Sequence, residues 1–503
     1  MAVAEQRSKN YVGGEWIDGT SGATFESRVP ATGETLATFP RSTAEDVDRA
    51  VAAAKEAFEE WRLVPAPERG NVLFRFARLL EEQKDELTEL MSREMGKVLA
   101  EAGGDVQEAI DMSIYMGGEG RRLFGHTTPS ELREKFQMSV RMPVGVVGAI
   151  TPWNFPIAIP AWKLAPALVA GNTVVLKPAE DTPLLAERFI ELLGEAGLPD
   201  GAVNLVHGFG EEAGERLVRH PDVPIITFTG SRETGVAVTK AAADGLKHVH
   251  LELGGKNGIM VMDDADLDLA VEGIVWSAFG TSGQRCTAAS RVIVHEAIYG
   301  ELQKRLVARA EQMKIGPGWD PETDLGPVIN REALDKIHSY TGIGADEGAK
   351  LLTGGEQVSE GDLGKGFFYR PTIFADVDPQ MRIAQEEIFG PTTALIPVKS
   401  FDEAIRVTNG IRYGLSSSIF TRDVNTAFKA MRDLETGITY VNAGTTGAEV
   451  HLPFGGMKET GNGHREAGQA ALDVFTEWKS IYVDYSGRLQ RAQIDNVEHP
   501  APQ

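Results

Sequence analysis

From Val144 onward the chain alternates short apolar runs with segments of helical spacing. This restricts the fold more than any other feature. VGVVGAI, TVVLKP, AVNLVHG, IITFTG and HVHLEL are separated by PLLAERFIELLGEAG, EEAGERLVRH and SRETGVAVTKAAADG. Strand–helix alternation of this kind predicts a parallel, doubly wound α/β sheet. Such sheets bind dinucleotides outside the carboxyl ends of their strands. A second alternating region runs from about Asn257 to Val441, with RVIVHE, a helix from Tyr299 to Gln312, IFADV, TALIPV and GITYVN. At 503 residues the chain exceeds one ordinary core, so two or three domains are expected.

The N-terminal part reads as largely helical after a short strand pair near Tyr11 to Trp16. A capping box from Ser42 to Glu45 opens a helix whose apolar stripe is Val47, Val51, Ala54 and Phe58. A second long helix follows Pro67, with Leu73, Phe76, Leu80, Leu87 and Met91, and a third covers Asp105 to Gly117. The most apolar region, Val144 to Leu176, is interrupted by Asn154, Lys163, Asn172 and four prolines. A membrane helix needs about 20 mostly apolar residues, so buried strands and loops are expected here instead. FQMSVRMPV (136–144) and FTEWKSIYVDYS (475–486) alternate like exposed strands, which pair with each other or with a neighbouring subunit.

Composition excludes some function classes. The net charge of −23 argues against nucleic acid and anionic membrane surfaces as partners. MAVAEQRSKN has no apolar core and does not read as a signal peptide. A single cysteine forms no intrachain disulfide, which suits a reducing, cytoplasmic compartment.

That cysteine, Cys286, sits in FGTSGQRCTAASR. A lone cysteine is most often inert core filler. Here Gly280, Thr281, Ser282 and Gly283 suit a backbone that approaches a ligand closely. The adjacent Arg285 is expected to favour the nucleophilic thiolate. Glu252, in LELGGKN, ends an apolar strand, where partial desolvation raises a carboxyl toward general-base range. The plainer reading is a solvated strand-end glutamate. Asn154, between prolines in ITPWNFP, is placed to donate to a developing oxyanion or merely to complete a turn. His248 and His250 alternate on one strand without a third ligand at metal-site spacing, so no metal is expected.

ITPWNFP, KPAE, FTGS, LELGG, GQRC, EEIFGP and PFGG occur in this order, with Glu252 preceding Cys286 by 34 residues. Together they make the chain resemble the NAD(P)-dependent aldehyde dehydrogenase superfamily over nearly its whole length. The resemblance implies a Rossmann-type sheet for the cofactor, a second α/β catalytic domain and a small β oligomerisation extension. The corresponding boundaries are 1–125 and 145–253, 254–455, and 126–144 with 470–490. It implies a homodimer or homotetramer. It also implies that Cys286 attacks an aldehyde carbon, that Asn154 and the Cys286 amide hold the oxyanion, and that Glu252 activates the water that hydrolyses the thioester. Lys177 and Glu180 would meet the adenosine ribose, Gly230 and Ser231 the pyrophosphate, and Glu387 and Phe389 the nicotinamide ribose. Ile150, Trp153, Gly210, Phe228 and Leu253 complete the implied cofactor set. The usual GxGxxG is lacking, with Gly208-Phe-Gly210 the nearest approach. Glu180 favours NAD over NADP, because its charge repels a 2′-phosphate, while Lys177 nearby softens that repulsion and leaves dual use open.

Three other functions compete: a broad-specificity enzyme for uncharged aldehydes, a CoA-acylating semialdehyde dehydrogenase, and a non-catalytic protein with this fold. The presence of Glu252 argues against the second, and the intact trio of Cys286, Glu252 and Asn154 against the third. An arginine before the catalytic cysteine, with GAE after Thr446, EMGK and VQE, is similar to the aminoadipate-semialdehyde and 2-oxoglutarate-semialdehyde branches. By that likeness Arg285, Glu108, Thr446, Gly447, Ala448 and Phe454 would bind substrate. Arg285 would select a distal carboxylate with its planar fork, or else pair with Glu449 or Glu108 as a structural ion. The tail GRLQRAQIDNVEHPAPQ carries no readable role.

Overall fold

The computed structural model describes residues 8–496. The first seven residues of the N-terminus and the last seven of the tail therefore lie outside it. Two seven-stranded sheets organise the chain. The first runs, in spatial order, His248–Glu252, Ile225–Thr229, Val146–Ile150, Thr173–Lys177 and Val203–Leu205, all parallel. The hairpin Asn10–Val12 and Glu15–Ile17 closes its edge antiparallel, with Tyr11 opposite Trp16. Register sets Ile150 beside both Lys177 and Phe228, and Thr229 beside Glu252. Four neighbouring strands thus end together, which is where a parallel sheet receives ligands.

The second sheet orders Lys350–Thr353, Thr372–Ala375, Thr392–Val398, Ala289–His295, Asn257–Val261, Ser416–Phe420 and Ile438–Val441. Only its first pair is antiparallel. The two orphan strands pair with each other, Thr476–Asp484 against Lys135–Pro143, in unbroken antiparallel register from Thr476–Pro143 to Asp484–Lys135. Trp478 and Tyr482 stay exposed on this small sheet.

Three sequence expectations need correction. Ser42 does not cap the first helix, because its hydroxyl pairs with Asn10. The helix Ala44–Trp61 starts one residue later, and Asp46 accepts from the Thr43 backbone N–H at 2.8 Å. The long second helix is two, Ala66–Glu82 and Lys84–Glu94, broken where Gln83 leaves helical geometry. Its five named apolar residues are nevertheless all buried, each burial contributing about 1.5–3 kcal/mol. Within the proline-interrupted run, Ala158–Ala170 is a helix rather than loop. Pro160 stands in its first turn, where the missing N–H costs nothing. Pro166 lies inside the helix, which is buried almost all round. Among the described residues no helix is long and apolar enough to cross a membrane.

Candidate active site

Cys286 is delivered by a strained turn. The helix Leu267–Phe279 ends, and Thr281, Ser282 and Gly283 follow at φ 52°, 54° and 70°. Two non-glycine residues in the left-handed region cost about 1–3 kcal/mol each, so something must hold them. Glu101 does: the Thr281 N–H donates to both its carboxylate oxygens at 2.9 and 2.8 Å. Arg285 completes the clamp, donating through Nε to Thr281 Oγ1 at 2.9 Å and through Nη2 to Glu101 at 3.2 Å. Gly283 admits no side chain, because a Cβ there would lie 2.0 Å from the Gly390 carbonyl oxygen. Asn154 Nδ2 donates to the Gln284 carbonyl at 3.0 Å, and Asn257 Nδ2 to that of Cys286 at 2.7 Å. Asn154 therefore sits two residues from the sulfur's own backbone and keeps a second N–H.

The expected role of Arg285 in making a thiolate is not met. Its charge is engaged by Glu101 and stacks 4.6 Å over the Trp276 ring. Neither Glu108 nor Glu449 is its partner. Burial, with Glu387 and Glu252 adding their charge, pushes the Cys286 thiol up.

Glu252 ends the strand His248–Glu252, and it is buried rather than solvated. Neither carboxyl oxygen has a hydrogen-bond partner among the described residues. Burial first, then the charge of Glu466, raises this carboxyl well above the usual range, against the pull of Lys163 and Arg465. Two glycines then bring the strand end against the cysteine loop. A Cβ at Gly255 would stand 2.5 Å from the Cys286 carbonyl oxygen, and one at Gly254 2.2 Å from Glu387 Oε2. Gly255 N–H donates to Glu387 Oε1 at 2.9 Å.

A cavity of about 350 Å³ opens over these groups. It brings together Cys286, Glu252, Leu253, Arg285, Glu108, Thr446, Gly447, Ala448 and Phe454. Residues that sequence reading missed line it as well: Glu101, Asp105, Phe155, Trp162, Trp276 and Glu466. Phe155 and Trp162 lay in the run read as buried strands and loops, Phe155 within ITPWNFP, and Trp162 packs edge-on to Phe454 at 5.0 Å between centroids. The acids carried a legible signal. Glu101, Asp105 and Glu108 recur at spacings of four and three, one face of the helix Leu99–Glu119.

These acids are neutralised one by one. Lys97 donates to Asp105 at 2.6 Å, both side chains fully buried, with its ammonium 3.5 Å over the Phe155 ring. Glu101 takes Arg285. Glu108 has no cationic partner within bonding distance among the described residues. Its accessible surface is only partly lost, but the surrounding protein excludes solvent enough to push its carboxyl up to about 8, with Asp105 adding to the rise.

The strand ends of the first sheet offer a second set of groups. Lys177 Nζ bonds Glu180 at 3.2 Å, so the two predicted ribose contacts partly neutralise each other. Ser231 caps the helix Arg232–Ala243, accepting from Thr234 N–H, and Gly230 lies so close to the Phe228 ring that a Cβ would stand 2.5 Å from it. Gly210 opens a wide-turn helix, Gly210–Gly214, and faces open space. Trp153 meets Phe389 edge-on at 5.5 Å, and Phe389 takes φ 62°. Ile150 and Thr229 stand at strand ends between these groups, and the Thr229 hydroxyl has no hydrogen-bond partner among the described residues. A helix N-terminus, an acid for a ribose hydroxyl and Glu387 beside the cysteine loop fit an extended dinucleotide. Among the described residues no group of His, Cys, Asp and Glu could hold a metal ion.

The model of the aldehyde dehydrogenase family matches residues 16–481. The chain is 43% identical to an alpha-ketoglutaric semialdehyde dehydrogenase of Bacillus subtilis over 96% of its own length and 99% of the relative's. It is 45% identical to an alpha-ketoglutarate semialdehyde dehydrogenase of Haloferax volcanii, covering 95% and 99%. A crystal structure of betaine aldehyde dehydrogenase from Staphylococcus aureus in complex with NAD+ superposes with a TM-score of 0.94 at 35% identity, covering 96% of this chain and 95% of that one.

Proposed function

The chain belongs to the aldehyde dehydrogenase family of oxidoreductases, and from that premise we propose that it oxidises a semialdehyde carrying a distal carboxylate to the diacid, using NAD. The observation that carries the substrate class is Arg285: a clamped guanidinium lines the same cavity as Cys286. Its Nη1 has no hydrogen-bond partner among the described residues. The Thr446 hydroxyl, also in the cavity wall, lacks one too. Two unused donors favour an anionic acceptor. Burial pushes the Glu108 carboxyl up to about 8, which lessens its repulsion of an anionic substrate. The names of the two semialdehyde relatives agree with this class.

In the reaction, Cys286 Sγ attacks the aldehyde carbon, and the second Asn154 N–H and the Cys286 backbone N–H receive the oxyanion. The bound dinucleotide supplies the hydride acceptor. Cys286 then carries the acyl group as a thioester, and Glu252 takes a proton from the water that attacks it. Glu387, beside the cysteine loop, would hold the nicotinamide ribose, and Lys177 with Glu180 would hold the adenosine ribose. Residues 1–125 and 145–253 form the cofactor unit, 254–455 the catalytic unit, and 126–144 with 470–490 the oligomerisation strands. The exposed Val424, Phe428 and Met431 form one face of a surface helix suited to a second copy. Sedimentation velocity is expected to give a dimer or tetramer, and a monomer at micromolar concentration would refute that assembly.

The test is kcat/KM for a five-carbon semialdehyde acid and an uncharged aldehyde of equal length, with NAD and NADP. Arg285→Ala is expected to lower the value for the acid by about 10- to 150-fold, the worth of one charge-assisted hydrogen bond, and that for the uncharged aldehyde much less. Glu101→Gln loosens the cysteine turn while leaving the guanidinium, so it should slow both aldehydes alike. Equal losses in Arg285→Ala would reduce the arginine to the clamp and remove the anionic-substrate reading. A clear NADP preference would contradict the role of Glu180.

A further inference from the structure

Behind the catalytic glutamate lies a buried group that the reaction as described does not use. His250 is on the same strand as Glu252, two residues earlier, and both side chains are almost wholly buried. His250 Nε2 lies 3.6 Å from Glu252 Oε1, and neither atom has a hydrogen-bond partner among the described residues. On the other side of the ring, Nδ1 is 3.1 Å from the Thr227 hydroxyl and 3.7 Å from Glu466 Oε1. Lys163 from the helix Ala158–Ala170 bonds both Glu466 and Thr227. The exposed ring of His464 stands edge-on to His250 at 5.7 Å between centroids. The imidazole therefore stands between two carboxyl groups, one near each nitrogen, with Thr227 as the hydrogen-bond partner of Nδ1.

We propose that His250 is a proton-transfer residue for the hydrolytic half-reaction, moving to Glu466 the proton that Glu252 takes from water. This rests on Glu252 being the base. The water oxygen bonds the acyl carbon, the carbon–sulfur bond breaks and its electron pair leaves as the Cys286 thiolate. One water proton stays on the product acid, and the other passes to Glu252 and then to His250 Nε2. Nδ1 gives up its proton to Glu466, and the Lys163–Glu466 site returns it to solvent before the next turnover.

Three features favour this path. The Thr227 hydroxyl accepts from Lys163 and has a second lone pair, so it can either donate to Nδ1 or accept from it, and both imidazole tautomers are satisfied. Burial, then Lys163 and His464, holds the His250 ring well below its ordinary value. The ring is therefore neutral and passes a proton on instead of storing it. The 3.6 and 3.7 Å separations are just beyond bonding distance, so a small movement of either carboxyl closes them. The groups facing His250 are Glu252 on its own strand, Thr227 on the neighbouring strand, Lys163 from the helix, and His464 and Glu466 from the C-terminal segment.

The test is His250→Gln, which keeps polar contacts but cannot exchange tautomers as imidazole does. Stopped-flow absorbance of the reduced dinucleotide should show a first turnover at the wild-type rate, followed by a steady state slowed about tenfold, part of what loss of a general base costs. The solvent deuterium effect on kcat should rise. Hydroxylamine, which accepts the acyl group without help from a base, should bring turnover back to within about twofold of wild type. A first turnover slowed as much as the steady state would mean a structural role, and an unchanged kcat no role; either overturns the proposal. Glu252→Gln run beside it separates the two readings. If that variant is slow while His250→Gln is unimpaired, the relay alone fails. If it keeps the full steady-state rate, the base assignment fails and the relay with it.

Discussion

Cys286→Ala is expected to leave no measurable aldehyde oxidation while the protein still folds. Deleting a covalent nucleophile costs on the order of 10⁴–10⁶-fold, and nothing nearby replaces it. It is the sole cysteine of the chain. Alanine keeps the turn, because Glu101, Asn154 and Asn257 hold that loop through Thr281, the Gln284 carbonyl and the Cys286 carbonyl, not through the sulfur. The variant should therefore melt as wild type and still show a melting temperature raised by NAD, since a ligand that binds only the folded state stabilises it. Residual steady-state turnover above about one per cent, far over that expected loss, would sink the cysteine assignment.

Glu252→Gln is expected to behave differently. Its first turnover should stay near wild type, and its steady state should fall by roughly 10²–10⁴-fold, the usual cost of a positioned base. An absorbance burst of about one reduced dinucleotide per site, followed by a slow phase, is the signature; full steady-state activity would remove the assignment. The pH behaviour follows from burial. The folded carboxyl is raised well above its ordinary value, so the basic form, and with it the wild-type deacylation rate, grows as pH rises. The glutamine variant should lose that rise. Stability has the opposite sign: a group whose pKa is raised on folding contributes fully below its unfolded pKa and loses that contribution as pH climbs. Glu252→Gln should therefore gain melting temperature relative to wild type at alkaline pH and little at pH 4.

Much of the fold was legible because it depends on local periodicity. Alternating runs reveal strands and helices, and two such regions anticipated two sheets. Exposed alternation marked the two orphan strands as needing a partner and left open whether it was each other or a neighbouring subunit; the fold pairs them with each other. The helix Ala158–Ala170 was misread because a proline-rich run looks the same as loop until its neighbours bury it. Gln83 broke a helix whose apolar spacing continued through it, since burial pattern alone does not record backbone geometry.

At the site, sequence by itself determined the cast of reacting groups: one cysteine in a glycine-flanked turn, a strand-end glutamate and an asparagine held between prolines. What only the tertiary structure decided was how their charges are spent. Arg285 looked like a promoter of thiolate, yet it meets Glu101, 184 residues away in sequence, and serves first as a clamp. Glu252 looked half-solvated, yet it is buried beside Glu466 and Lys163, partners separated by 303 residues. Spacing reports neighbours within a turn or a strand, whereas desolvation and Coulomb energy depend on whatever the fold brings within a few ångströms. The identity of the nucleophile is a property of the residue, but its protonation state is a property of the packed interior around it.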